Sequence, residues 1–139
     1  MSQARSSSAA PVEIAVAVVE QDDRFLIGQR PAGAALAGFW EFPGGKVETG
    51  ETPEATLVRE LGEEIGVTTS EACLAPLTFA SHAYPDFHLL MPLYVCRRWS
   101  GVPEPREGQA LKWVMPVKLR DYPMPPADLP LIPALIDHL

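Results

Sequence analysis

Three glutamates stand close together in this chain: Glu60, Glu63 and Glu64. On a helix they fall at i, i+3 and i+4, so all three carboxylates share one face. The surrounding residues predict such a helix. Thr52 is a good N-cap, and Pro53 fits the first helical position, where a missing N–H costs nothing. Leu57, Val58, Leu61 and Ile65 recur at helical spacing and turn toward a core. Gly66 is a natural stop. Like charges at this spacing destabilise a helix by about 0.2–0.5 kcal/mol per pair. A hard divalent cation removes that repulsion, and Mg²⁺ takes oxygen ligands while keeping waters and substrate phosphates. Arg59, four residues before Glu63, can orient a carboxylate. Taken alone, three glutamates more often mean a solvated acidic face.

The residues around them change that balance. From Gly45 to Val67 the chain reads GKVETGETPEATLVRELGEEIGV. It contains Gly45, Glu51 and then Arg59-Glu60-Leu61, Glu63-Glu64 and Gly66-Val67. This resembles the Nudix box, G-x5-E-x7-R-E-U-x-E-E-x-G-U with U a bulky aliphatic, at every fixed position. The resemblance implies an α/β protein with the Nudix fold, an α/β/α sandwich with a mixed β-sheet. It also implies a hydrolase acting on a nucleoside diphosphate linked to another group, with Mg²⁺ or Mn²⁺ as cofactor.

Beyond the box the chain is similar to the MutT branch, bacterial nucleoside triphosphate pyrophosphohydrolases. Trp40-Glu41-Phe42-Pro43-Gly44-Gly45-Lys46 resembles that branch's approach to the box. Tyr84-Pro85-Asp86 resembles its aromatic-Pro-Asp turn, Glu107-Gly108-Gln109 its metal-binding loop, and Pro125-Pro126-Ala127-Asp128 its base-contacting segment. The resemblance implies that Glu60, Glu63, Glu64, Glu107 and the Gly44 carbonyl bind metal. By the same likeness Arg59 positions carboxylates, and Glu60 or Glu107 accepts a proton from the attacking water. Lys46 offsets phosphate charge, and Glu51 stands behind the ligands or favours the helix N-terminus. Arg30, Glu41, Phe42, Asp86 and Asp128 are expected to line the substrate pocket, with Phe42 equally suited to the core. The expected products are a nucleoside monophosphate and pyrophosphate.

Asp128 departs from the branch. Members that read 8-oxoguanine carry asparagine there, which offers a donor and an acceptor. An ionised aspartate only accepts, and suits an edge of donors such as the cytosine amine. The surrounding segment also resembles that of bacterial CTP pyrophosphohydrolases, which carry Asp. A third role is to cap the last helix, because Asp is among the best N-caps. The expected substrate is 8-oxo-dGTP, with cytosine or 5-hydroxy-pyrimidine triphosphates as the alternative. A non-catalytic nucleotide sensor is disfavoured by the intact box.

These side chains need a scaffold, and the hydrophobic pattern supplies one. Val12 to Glu20 reads as a buried strand, followed by a turn at Gln21-Asp22-Asp23 and a second strand from Arg24 to Arg30, paired as a hairpin. Phe39 to Phe42 is a short strand that delivers the chain to Pro43-Gly44-Gly45, whose glycines let the backbone approach a ligand or take positive φ. Ala72 to Ala83 and Leu89 to Trp99 read as strands joined by a turn at Tyr84 to Phe87. Gly101 to Gly108 is a loop, Ala110 to Val114 a last strand and Pro116 to Arg120 one helical turn. Prolines exclude regular helix from Tyr122 to Asp128. Leu129 to Leu139 reads as a C-terminal helix whose regular part is delayed by Pro133.

A length of 139 residues fits one domain over residues 11–139 with a real core. Residues 1–10 read as a disordered tail without the apolar stretch of a signal peptide. The net charge of −7 argues against stable nucleic-acid binding, which needs a basic footprint. Cys73 and Cys96 form no metal-like cluster and read as free buried thiols in strands. No apolar run is long enough for a membrane span. The expectation is a cytoplasmic monomer or weak homodimer.

Overall fold

A computed structural model describes residues 11–138. The expected tail over residues 1–10 and the terminal Leu139 lie outside the described residues.

The sheet is built on β1 (Val12–Gln21). Its neighbouring residues point to opposite faces. Val16 and Val18 enter one apolar cluster, while Ala15, Ala17 and Val19 enter another. The strand turns back through Asp22 and Asp23, both left-handed at φ 53° and 61°. Successive positive φ values match the twist of a tight hairpin, and Asp tolerates them. The expected partner follows as β2 (Arg24–Gln29), antiparallel, with Glu20 opposite Phe25. β3 (Trp40–Glu41) pairs with β2.

The two glycines after Pro43 open a further strand. β4 (Gly44–Lys46) pairs antiparallel with β1, Val16 opposite Gly44 and Ile14 opposite Lys46. A Cβ on Gly44 would stand 2.8 Å from Val16 Cα, so glycine is what lets the two backbones meet.

α1 (Pro53–Ile65) has the expected limits. Thr52 Oγ1 accepts from the Ala55 N–H at 3.1 Å. Gly66 ends the helix at φ 71°, its N–H reaching back to the Gly62 carbonyl. Leu57, Leu61 and Ile65 are fully buried against the face carrying Ala15 and Ala17, with Val58 at the margin. Thr52→Ala, by removing that cap, is expected to cost about 1 kcal/mol, read as a lower urea midpoint at unchanged slope.

β5 (Leu74–Ala83) and β6 (His88–Cys96) form the second expected hairpin, closed by the Tyr84 N–H on the Phe87 carbonyl at 2.8 Å. β6 runs parallel to β1, which makes the sheet mixed. β7 (Ala110–Val114) pairs with β2. The order is β3-β2-β1-β6-β5, with β4 also on β1 and β7 also on β2. The far face is covered by a 3-10 turn at Pro116–Asp121, another at Leu129–Leu131, and α2 (Ile132–His138). Leu119, Leu131, Ile132 and Leu135 pack there with Val16 and Val18. Helices therefore flank both faces of a mixed sheet, the α/β arrangement expected.

Two expectations need correction. Asp128 does not cap the last helix: its backbone is already helical at φ −84°, ψ −26°, and its side chain makes no capping bond. An N-cap needs an extended backbone. Of the cysteines, Cys96 is buried at the end of β6, but Cys73 is half-buried in a 3-10 turn at Glu71–Cys73. Both are free thiols. No described helix is long and apolar enough to cross a membrane.

Candidate active site

β1 serves two partners on one edge. Its first half pairs with β4 at Ile14 to Val16, and its last residues pair with β2 at Glu20 and Gln21. The two partners diverge between these points, and a cavity of about 580 Å³ opens in the fork. That volume suits a small-molecule ligand. Its walls include Val16, Gly28, Gly44, Gly45 and Phe42.

One end of the cavity is acidic. Glu60 and Glu64 reach it from α1 and are hydrogen-bonded to each other. Burial, then the hydrogen bond and charge of Glu60, then the charges of Glu107 and Glu41, push Glu64 up to about 9. Gly45 makes room for this pair, because a Cβ there would sit 2.5 Å from Glu60 Oε2. Behind them Arg59 grips Glu51 with a two-pronged contact, Nε to Oε2 and Nη2 to Oε1, both 2.9 Å. Its Nη1 donates to Glu60 at 2.8 Å. Glu51 also accepts from Thr56 Oγ1 at 2.8 Å and from the Glu48 N–H at 3.1 Å. The Arg59 hydrogen bonds, with those from Glu48 and Thr56, hold the Glu51 carboxyl down at about 2. The Arg59 guanidinium is correspondingly strengthened, first by Glu51. The line Glu51–Arg59–Glu60 thus fixes one carboxylate of the cavity through a guanidinium.

Glu63 and Lys46 lie outside the cavity lining. The Glu63 side chain is 57% exposed and turns to Arg59 at 3.4 Å. Lys46 is exposed at the end of β4. Glu107 does line the cavity, on the loop whose Glu-Gly-Gln resembles a metal-binding one. That loop docks on the C-terminal end of α1. The Glu104 N–H donates to the Ile65 carbonyl at 2.9 Å, and the Arg106 N–H to the Glu64 carbonyl at 3.0 Å. Carbonyls at a helix end lack intrahelical donors, so such a loop is held by their need for partners.

The donors here are carboxylate and carbonyl oxygens, the set for a hard cation. Among the described residues no three acids converge into a ready-made cage. Two do converge, Glu60 and Glu64, and a proton held to about 9 marks where positive charge is wanted. Mg²⁺ is commonly bound by one or two carboxylates, waters and substrate phosphates, so the residues present fit it.

The other end is apolar with one acid. Asp128 is 4% exposed and lines the cavity. Burial foremost, and then the charge of Glu41, raise it to about 7 against the opposing pull of Arg30. Glu41 lies between the two ends, its pKa raised by burial and by Glu107 although Arg30 opposes. Arg30 pairs with Glu41 at 3.0 Å and reaches the Ala35 carbonyl at 3.2 Å. Its Nε is buried without a partner. Phe42, 2% exposed, belongs to both the core and the cavity wall. Asp86 is exposed and outside the lining. Its neighbours Tyr84 and Phe87 take that place, their rings stacked at 4.9 Å. The sequence showed those aromatics as part of a turn, and an aromatic pair flanking Pro-Asp was the available signal.

The cavity therefore joins an acidic end carrying Glu60, Glu64 and Glu107 to a more apolar one carrying Asp128. The NUDIX domain model matches residues 14–134, and the chain belongs to the Nudix family. Nudix hydrolases generally need a divalent metal. The chain is 38% identical over 125 residues to the 8-oxo-dGTP diphosphatase of Escherichia coli (strain K12), covering 89% of this chain and 95% of that one. It is also 38% identical over 135 residues to the CTP pyrophosphohydrolase of the same strain, covering 90% and 91%. The solution structure of the E. coli ORF135 protein matches with a TM-score of 0.83 at 33% identity, covering 94% of this chain and 91% of that one.

Proposed function

We propose that this protein is a Mg²⁺-dependent nucleoside triphosphate pyrophosphohydrolase that removes 8-oxo-dGTP in the cytoplasm and so limits mutation. It needs neither nucleic acid nor membrane for this, and acts as a monomer or weak homodimer. The observation that carries the base assignment is the Asp128 carboxyl, buried in the cavity wall with no capping role. With its pKa near 7, much of it is neutral at neutral pH. A neutral carboxyl donates through O–H and accepts through C=O, as asparagine does. It can therefore serve O6 and N7–H of 8-oxoguanine together. Arg30 and Glu41 fix the wall beside it, and Tyr84 and Phe87 offer a stacking surface.

At the acidic end Glu60, Glu64, Glu107 and the Gly44 carbonyl would hold the cation. When bound, Mg²⁺ supplies charge stabilisation on the phosphates and a more acidic water. Arg59 keeps Glu60 aimed through its 2.8 Å contact, and Glu60 or Glu107 takes the proton of the attacking water. In this reading Glu63 and Lys46 meet the phosphate tail and its cation once substrate is bound. Mn²⁺ suits the same oxygen ligands.

The relative named for CTP favours a second reading. Ionised Asp128 accepts from the cytosine amine, and a cytosine nucleotide then becomes the substrate. The two readings share their products. Incubation of 8-oxo-dGTP with enzyme and Mg²⁺ is expected to release the monophosphate and pyrophosphate in equal amounts, resolved by anion exchange. Orthophosphate with a diphosphate would overturn the pyrophosphohydrolase assignment.

A further inference from the structure

Gln109 lies between the two stretches that carry acids into the cavity. Its Nε2 donates to the Glu64 carbonyl at 3.1 Å, and its Oε1 accepts from the Glu107 N–H at 2.8 Å. Only one orientation of the amide satisfies both contacts. Asparagine offers the same groups on a shorter stem, and glutamate turns an acceptor toward a carbonyl. Gly108, left-handed at φ 77°, makes the tight turn that lets the Gln109 side chain fold back on the amide two residues earlier. The stem passes over Gly28 of β2, where a Cβ would meet Gln109 Cγ at an ordinary 3.5 Å.

We infer that Gln109 is a positioning residue that sets the separation between Glu64 on α1 and Glu107 on its loop, and through it the affinity for the divalent cation. This rests on the proposed role of Glu60, Glu64 and Glu107 as cation ligands. Gln109 itself borders the cavity, but both of its side-chain hydrogen bonds go to backbone groups, so its role is to position. Its structural contribution is small for a visible reason. The Glu64 carbonyl keeps a second donor, the Arg106 N–H at 3.0 Å, when Gln109 is removed. The exposed Glu107 N–H then turns to water. What is lost is the clamp between the Glu64 carbonyl and the Glu107 amide, so the loop, still held at Glu104 and Arg106, presents the next residue, Glu107, less precisely.

The test is Mn²⁺ binding to the nucleotide-free, full-length protein, followed by the electron paramagnetic resonance signal of free Mn²⁺. Gln109→Met keeps the stem and removes both hydrogen bonds. It is expected to raise the Mn²⁺ dissociation constant about tenfold, the usual effect of losing a residue that orients a ligand. In a Glu107→Gln background the same change is expected to add less than about twofold, since its effect runs through Glu107. Gln109→Asn, which keeps an amide but falls short, is expected to weaken Mn²⁺ similarly and serves if the Met variant fails to fold. Wild-type affinity in the folded variant, or an equal loss in both backgrounds, would overturn the inference. Glu60→Gln separates the two levels. If it weakens Mn²⁺ and Gln109→Met does not, the inference alone falls. If Glu60→Gln leaves binding intact, the cation site falls and the inference with it.

Discussion

Glu60→Gln is expected to lower kcat about a thousandfold while leaving the fold intact. The two halves of this expectation have one cause. Without cation Glu64 holds a proton beside Glu60, and the Glu60 carboxylate is paired with Arg59 at 2.8 Å. The amide keeps the shape and can still hydrogen-bond Glu64, while Arg59 keeps its two contacts to Glu51. The metal-free variant should therefore melt close to the wild-type temperature, measured in EDTA. Added Mg²⁺ should raise the melting temperature of the wild type and not of the variant, because a ligand stabilises only a protein that binds it. A large loss of melting temperature in EDTA would show instead that Glu60 is a structural residue. A kcat within tenfold of wild type would remove it from the catalytic assignment.

Asp128→Asn is expected to fix the base preference. In the wild type, turnover of 8-oxo-dGTP should fall as pH rises through about 7, where Asp128 loses the proton it needs as a donor. Cytosine nucleotides should gain over the same range. The asparagine variant should keep 8-oxo-dGTP turnover above that pH and reject cytosine nucleotides, with a change in the kcat/KM ratio of about a hundredfold. The stability effect has a definite sign. The folded pKa of about 7 exceeds the unfolded value of 3.8, so the folded state holds the extra proton between them. Stability from this group is fully present below the lower value and is lost as pH rises toward the upper one. Asp128→Asn should thus raise the melting temperature at alkaline pH and leave it unchanged in acid. Equal shifts at both ends would mean that burial does not control this carboxyl.

Much of this molecule was legible because local chemistry and global packing agreed. Thr52, Pro53 and Gly66 bounded α1, and its apolar spacing faced the core as read. The strand run from Val12 and the turn at Asp22-Asp23 gave the first hairpin. Gly44 and Gly45 were legible as glycines but not in purpose. One clears the backbone of β1 and the other clears the Glu60 carboxyl, and both neighbours are distant in sequence. The same holds for Asp128. Its type and its place before a helix left a cap open beside the base contact, and only the tertiary structure shows a helical backbone and a buried, uncapped acid. Glu107 was found by its resemblance to a motif, but the docking of its loop on the last carbonyls of α1 is a long-range contact that no pattern records. Glu63 and Lys46 share the box yet stand outside the cavity lining, since spacing along the chain gives a face and not a depth.

The most direct measurement is pyrophosphate release with Mg²⁺ from 8-oxo-dGTP, dGTP, CTP, dCTP and 5-hydroxy-dCTP, each at low concentration, a pH unit below and a pH unit above the Asp128 midpoint. 8-oxo-dGTP is expected to lead at the lower pH, with cytosine nucleotides gaining at the higher. A cytosine nucleotide leading at both values would contradict it, and would mean that Asp128 reads the amine as a permanent carboxylate.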